Sequence, residues 1–185
     1  MKKASVFLAD GFEEVEGLTA VDLLRRAGVE VSTISITGRQ DIHGAHDIIV
    51  KADALFEGRD FSDVDMLVLP GGMPGTLHLQ EHTGLQKLLE EQYAKEKYIG
   101  AICAAPSVLG SLSFLQGRRA CSYPSVEEKL TGAEVVQDSV VADGNIVTSR
   151  GVGTAIPFAL ELISILCGRE RAEEIKKSIV FIEAL

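Results

Sequence analysis

One cysteine stands where the chain could make a thiol reactive. In the run Tyr98-Ile99-Gly100-Ala101-Ile102-Cys103-Ala104-Ala105-Pro106, a β-rich strand stops and a helical pattern begins within a few residues. Gly100, Ala101, Ala104 and Ala105 are small enough for a tight turn, and Pro106 is tolerated in a first helical turn, where no amide donor is needed. A thiol on such a turn faces free helix amides and the positive end of the helix dipole, which favour thiolate and lower its pKa. A free cysteine is also commonly a small buried hydrophobe. Spacing alone leaves both readings open for Cys103; Cys121 and Cys167, the latter ending an apolar helix, read as structural.

The layout around Cys103 is similar to the sharp strand-to-helix turn that presents the serine of α/β-hydrolases. Leu69-Pro70-Gly71-Gly72-Met73-Pro74-Gly75 follows another apolar strand, and its glycines let backbone amides approach a ligand. With the amide of Ala104, that loop would form an oxyanion hole, although taken alone it is also a plain turn. No Gly-Lys-Ser/Thr follows, so it is not a phosphate loop. In the helix opening Asp10-Gly11-Phe12-Glu13-Glu14-Val15-Glu16, first-turn carboxylates complement the helix dipole, and that explains Glu13 and Glu14. Glu16 is different. It shares a face with Ala20, Leu23, Leu24 and Ala27, the stripe that should pack on a sheet, so its carboxyl points inward. A buried carboxyl is protonated or hydrogen-bonded, and next to Cys103 it would offer acid/base and thiol chemistry together.

The histidines matter by where they are missing. His43, His46, His78 and His82 all precede Cys103, so the late His-x-Glu of an amidotransferase triad has no counterpart. His78 and His82 have the i, i+4 spacing of a metal pair, but no third ligand is evident and a solvated face explains them. No metal site is expected.

Short apolar β-rich runs at Ser5–Ala9, Glu30–Ile36, Met66–Leu69, Tyr98–Ile102 and Asn145–Thr148 must position these residues. They alternate with helical periodicity at Glu13–Ala27, Thr83–Ala94, Pro106–Leu112, Thr154–Leu166 and Arg169–Lys177. Strands apolar on both faces belong in a parallel sheet covered by helices, a three-layer α/β fold whose ligands sit beyond the carboxyl ends of the strands. Gly38–Ala54 lacks helix period and reads as a small hairpin. A chain of 185 residues with 46% hydrophobic content suits one domain, expected over 1–185. Eighteen basic against 27 acidic residues give a net charge of −9, which argues against nucleic acid as a partner. Three scattered cysteines exclude a disulfide scaffold or structural zinc site. The apolar stretch from Ala155 to Cys167 is broken by Glu161 and is short for a membrane span. With no signal-like segment at Met1-Lys2-Lys3-Ala4, a cytoplasmic protein without a membrane partner is expected.

Ala101-Ile102-Cys103-Ala104-Ala105-Pro106, Leu69-Pro70-Gly71-Gly72, Gly11-Phe12-Glu13-Glu14-Val15-Glu16 and Thr148-Ser149-Arg150-Gly151 resemble the ThiJ/PfpI superfamily, in order and nearly end to end. The branch that they resemble most holds protein deglycases and glyoxalase III-like members. The resemblance implies a flavodoxin-like sandwich, a homodimer, a nucleophile-elbow cysteine at Cys103 and a buried protonated glutamic acid at Glu16. It further implies oxyanion amides at Gly72 and Ala104 beside Gly71, and arginines near the site or dimer interface at Arg150 and Arg26. The implied activities are cofactor-independent conversion of small 2-oxoaldehydes such as methylglyoxal, deglycation of their adducts, and oxidative-stress sensing or chaperoning; a thiamine-related role ranks last. Two departures bear on mechanism. Tyr123 stands before Pro124 where some members have histidine, which leaves proton transfer to Glu16, and Ala104 follows Cys103 where protease-like members have histidine.

Overall fold

The structure, a computed structural model, describes residues 1–182; the last three residues of the expected domain lie outside the described residues. Its main sheet contains β1 (Lys3–Leu8), β2 (Glu30–Ser35), β5 (Ala54–Leu55), β6 (Met66–Leu69), β7 (Tyr98–Ile102), β10 (Val140–Asp143) and β11 (Ile146–Ser149). The strand order is β10-β11-β7-β6-β1-β2-β5, and every neighbouring pair is parallel except β10 with β11. The hairpin expected between Gly38 and Ala54 is present as β3 (Asp41–His43) and β4 (Ile49–Lys51), paired antiparallel. Two further short strands, β8 (Arg119–Ala120) and β9 (Glu134–Val135), pair with each other.

Helices cover both faces, as the two-sided apolar strands require. Val6 and Leu8 of β1 face α1 (Glu14–Arg26), α5 (Ala155–Cys167) and α6 (Arg169–Ser178). Phe7, between them, faces the opposite layer, built by α2 (Gly75–Glu81), α3 (Thr83–Ala94) and α4 (Pro106–Ser111). The result is a three-layer flavodoxin-like sandwich in which all four residues of β6 are buried. Each fully buried large apolar side chain contributes about 1.5–3 kcal/mol relative to exposure. α1 starts at the N-cap Glu13, whose carboxylate accepts the Val15 amide at 3.4 Å, and it ends with Arg25 and Arg26 against the negative end of its dipole. Its stripe of Glu16, Ala20, Leu23, Leu24 and Ala27 is buried throughout.

Sequence periodicity does not show β5, α2, β10 or the β8–β9 pair. α2 begins directly after Pro74 in a glycine-rich loop, β10 is a short edge strand, and β5, β8 and β9 have two residues each. Among the described residues, no helix is long and apolar enough to cross a membrane.

Candidate active site

β1, β6, β7 and β11 end side by side, and their carboxyl ends bring four loops together. Cys103 follows β7 with φ +64°, a left-handed conformation that a non-glycine residue adopts at a cost of about 1–3 kcal/mol. The surroundings enforce it. The Cys103 amide donates to Ser149 O of the neighbouring strand at 3.0 Å, and its carbonyl accepts the Tyr123 amide at 2.8 Å. The thiol is half-buried, and the backbone amides of Gly72 and Ala104 both hydrogen-bond its sulfur.

Glu16 reaches the same corner from α1 and is 1% exposed. Its Oε2 accepts the Gly71 amide at 2.9 Å, while Oε1 is buried with no hydrogen-bond partner among the described residues. Burial raises the Glu16 pKa to about 7, against the opposing pull of the Cys103 thiol and the Gly71 amide. Cys103 is pushed up to about 12, first by burial and then by the charge of Glu16, although the Gly72 and Ala104 amides pull it down. The free thiol is therefore not the low-pKa group that its helix position predicts: desolvation and a carboxylate neighbour outweigh the local dipole. Two negative charges are disfavoured in this corner, so sulfur carries charge most readily when Glu16 holds a proton.

The loops are cut to fit. A Cβ on Gly71 would lie 2.5 Å from Cys103 Cβ and 2.7 Å from Glu16 Oε2. Gly72 has φ +92°, and a Cβ there would sit 2.3 Å from the Glu13 nitrogen.

A cleft of about 580 Å³ opens onto the thiol, lined by Glu13, Glu16, Gly72, Cys103, Tyr123, Pro124 and the segment from Arg150 to Thr154. The structure thus brings together Cys103, Glu16, Gly71, Gly72, Ala104, Tyr123 and Arg150. Arg26 is not in the cleft; it is exposed and paired with Asp22 at 2.7 Å. Arg150 donates to Ser122 O at 3.3 Å and faces Glu127 Oε1 at 3.4 Å. Sequence reasoning passed over Glu13, Pro124 and 151–154 as lining residues. The available signal for the last group was the Thr148-Ser149-Arg150-Gly151 run after a strand, once that strand is placed beside β7. Among the described residues, no histidine lines the cleft. His82 caps α3 by accepting the Leu85 amide at 3.0 Å, His78 contacts Asp10 O at 3.0 Å, and His46 Nδ1 lies 3.0 Å from Glu14 Oε2. Cys121 is buried beside Thr148, and Cys167 is exposed at the end of α5.

A thiol on a strained strand-to-helix elbow, a buried carboxyl against it and two amides on its sulfur define a nucleophile-elbow α/β sandwich protein. The chain belongs to the DJ-1/PfpI family, whose sequence profile matches residues 2–165. It is 37% identical to Protein dj-1beta of Drosophila melanogaster over 181 residues, 97% of each chain. A Pyrococcus abyssi protein named a deglycase is 34% identical over 164 residues, covering 87% of this chain and 97% of that one. The solved structure of oxidised Toxoplasma gondii DJ-1 superposes with a TM-score of 0.94 at 34% identity, over 98% of this chain and 99% of the other.

Proposed function

We propose that the protein is a cofactor-independent enzyme acting on small 2-oxoaldehydes such as methylglyoxal, or on their protein adducts, through Cys103 and Glu16. The observation that carries this is the buried Oε1 of Glu16, without a hydrogen-bond partner among the described residues, in the same corner as an amide-held thiol. Cys103 sulfur attacks the aldehyde carbon, and the thiol proton passes to the former aldehyde oxygen, giving a hemithioacetal. The Gly72 and Ala104 amides stabilise the oxyanion on that path. Glu16, as carboxylate, takes the hydrogen of the attacked carbon as a proton; the electron pair forms an enediol with the neighbouring ketone carbon, whose oxygen is protonated. Return of a proton to that second carbon, with loss of one from the first oxygen, leaves a 2-hydroxyacyl thioester. Water then cleaves the carbon–sulfur bond, releasing the 2-hydroxy acid and the thiol. One carbon is oxidised and its neighbour reduced, so the net change is addition of one water. A glycated side chain presents the same carbons, and the deglycase name of the Pyrococcus abyssi relative supports that form of the activity.

The test is methylglyoxal consumption by purified protein without glutathione. Cys103→Ser and Glu16→Gln are each expected to lose about 10²–10⁴-fold, the worth of a positioned proton-transfer group. Variants as active as wild type would sink the mechanism.

A second reading is redox sensing by Cys103, with a stress-sensor or chaperone role. It is favoured by the half-exposed sulfur between two amide donors, which would hold a sulfinate, and by the oxidised form of the Toxoplasma gondii relative. Mass spectrometry after mild peroxide treatment should find oxidation at Cys103 before Cys121 or Cys167; the reverse order counts against it. We also propose a homodimer, supported by the exposed apolar side chains Val15 and Leu18 on α1 and Ile48 and Ile49 on the hairpin. Light scattering at low micromolar protein showing only monomer would rule it out.

A further inference from the structure

Gly151 lacks a side chain for a different reason from Gly71 and Gly72. At those two positions a Cβ would overlap fixed atoms. At Gly151 the backbone is extended (φ 161°, ψ −167°), a conformation open to any residue. A Cβ there would meet Tyr123 Cδ2 at 3.5 Å and Glu16 Oε1 at 4.0 Å, both ordinary contacts. Neither backbone nor packing demands glycine. What glycine supplies is open space inside the cleft, between the Tyr123 ring and the Glu16 oxygen that has no hydrogen-bond partner among the described residues.

The backbone on both sides of that space is held in place. Thr154 Oγ1 accepts the Gly151 amide at 3.1 Å and the Arg150 amide at 3.2 Å, and it lies 2.7 Å from Ser149 Oγ. Opposite, the Tyr123 amide is tied at 2.8 Å to the carbonyl of Cys103. The gap is therefore positioned relative to both the sulfur and the carboxyl.

We propose that Gly151 and Tyr123 form the size filter of the cleft. The missing Cβ at Gly151 admits the substituent on the ketone carbon, to which Glu16 must return a proton, and the Tyr123 ring limits that substituent to a short unbranched group. The preferred substrates are then short straight-chain 2-oxoaldehydes rather than aryl ones. This assignment of the gap rests on the enzyme mechanism proposed above.

Two variants and two readouts test it. Gly151→Ala should lower kcat/KM for methylglyoxal relative to glyoxal by about tenfold or more, since excluding one methyl-sized group is worth about 10- to 200-fold. Tyr123→Ala should raise the use of phenylglyoxal relative to methylglyoxal. Independently of turnover, Cys103 alkylation by iodoacetamide and by its N-phenyl derivative is followed by mass spectrometry. Gly151→Ala should slow the bulkier reagent more than the smaller, and Tyr123→Ala should do the reverse. Unchanged alkylation ratios in both variants overturn the filter, as does a Gly151→Ala protein that fails to fold, because the contact distances allow the methyl. Shifted alkylation ratios in a protein that turns over no dicarbonyl uphold the filter and overturn the enzyme mechanism instead.

Discussion

The Glu16 carboxyl and the Cys103 thiol share one buried corner, and each governs the proton of the other: the charge of Glu16 is a principal reason, after burial, that the thiol titrates near 12. Replacing Glu16 with glutamine removes that charge while keeping the side-chain shape. The Cys103 pKa should fall, and the pH midpoint of its alkylation by iodoacetamide should move down with it. Turnover should fall at the same time, because the proton shuttle is gone. A thiol that becomes easier to ionise in a less active enzyme separates the proton-transfer role of Glu16 from simple activation of sulfur. An unchanged alkylation midpoint would show that the carboxylate does not set the thiol's proton affinity.

Glu16 also makes stability depend on pH. Its folded pKa of about 7 lies above its ordinary value of 4.5. The folded state therefore binds more protons between those values than the unfolded chain does. Stability from this group is fully present below about pH 4.5 and is lost as pH rises through about 7. The full swing is about 3 kcal/mol, from 1.36 kcal/mol per pKa unit. Urea unfolding of wild type and Glu16→Gln across that window checks it: the variant should lack this decline with pH. Parallel pH profiles for the two proteins would refute the assignment.

Why some of this was readable from the sequence and some was not follows from where each signal resides. The strands at Met66–Leu69 and Tyr98–Ile102 are continuous apolar runs because both sheet faces are covered, and such runs are local signals. The inward direction of Glu16 was readable from the stripe that it shares with Leu23 and Leu24. β10 is half-exposed, but Asp143-Gly144 before Asn145 was a usable hairpin signal that apolar patterning overlooked. The cleft wall from Tyr123 to Thr154 depends on β11 lying next to β7, a pairing between residues far apart in the chain. The raised thiol pKa is hidden from the sequence for the same reason. Local sequence shows a helix start, whereas desolvation and the Glu16 charge exist only after the chain has folded.

Gly71→Ala tests the fit of the corner. The new Cβ would lie 2.5 Å from Cys103 Cβ and 2.7 Å from Glu16 Oε2, so the elbow or α1 must move. Overpacking of this kind costs about 1–3 kcal/mol. The variant should unfold at lower denaturant and lose turnover disproportionately, since the Gly71 amide also holds Glu16 Oε2 at 2.9 Å. Wild-type stability together with wild-type kcat/KM would mean that the corner is looser than its distances indicate.

One buried carboxylate ties the tip of the hairpin to α1, beside the bonds from Asp10, Gly11 and Phe12 to His43 and Ala45. Glu14 is 3% exposed. Its Oε1 accepts the backbone amides of His46 at 2.8 Å and Ile48 at 3.4 Å, and its Oε2 faces His46 Nδ1 at 3.0 Å. These hydrogen bonds outweigh burial and lower the Glu14 pKa, while the carboxylates of Glu14 and Glu13 raise that of His46. The signs are opposite and bound the same contact from two sides. The Glu14 contribution is present above its unfolded pKa and is lost as pH falls through its lower folded value. The His46 contribution is present below its unfolded pKa of 6.5 and is lost as pH rises through its higher folded value. Glu14→Ala removes the acceptor for two amides and should cost about 1–3 kcal/mol, the penalty for leaving buried partners unsatisfied. His46→Ala keeps the backbone bonds and should cost much less. Hydrogen exchange should then show the amides of His46 and Ile48 deprotected in Glu14→Ala and protected in His46→Ala. Amides that stay protected in Glu14→Ala would show that the carboxylate–amide bonds do not anchor the hairpin, and deprotection in His46→Ala would assign that role to the imidazole.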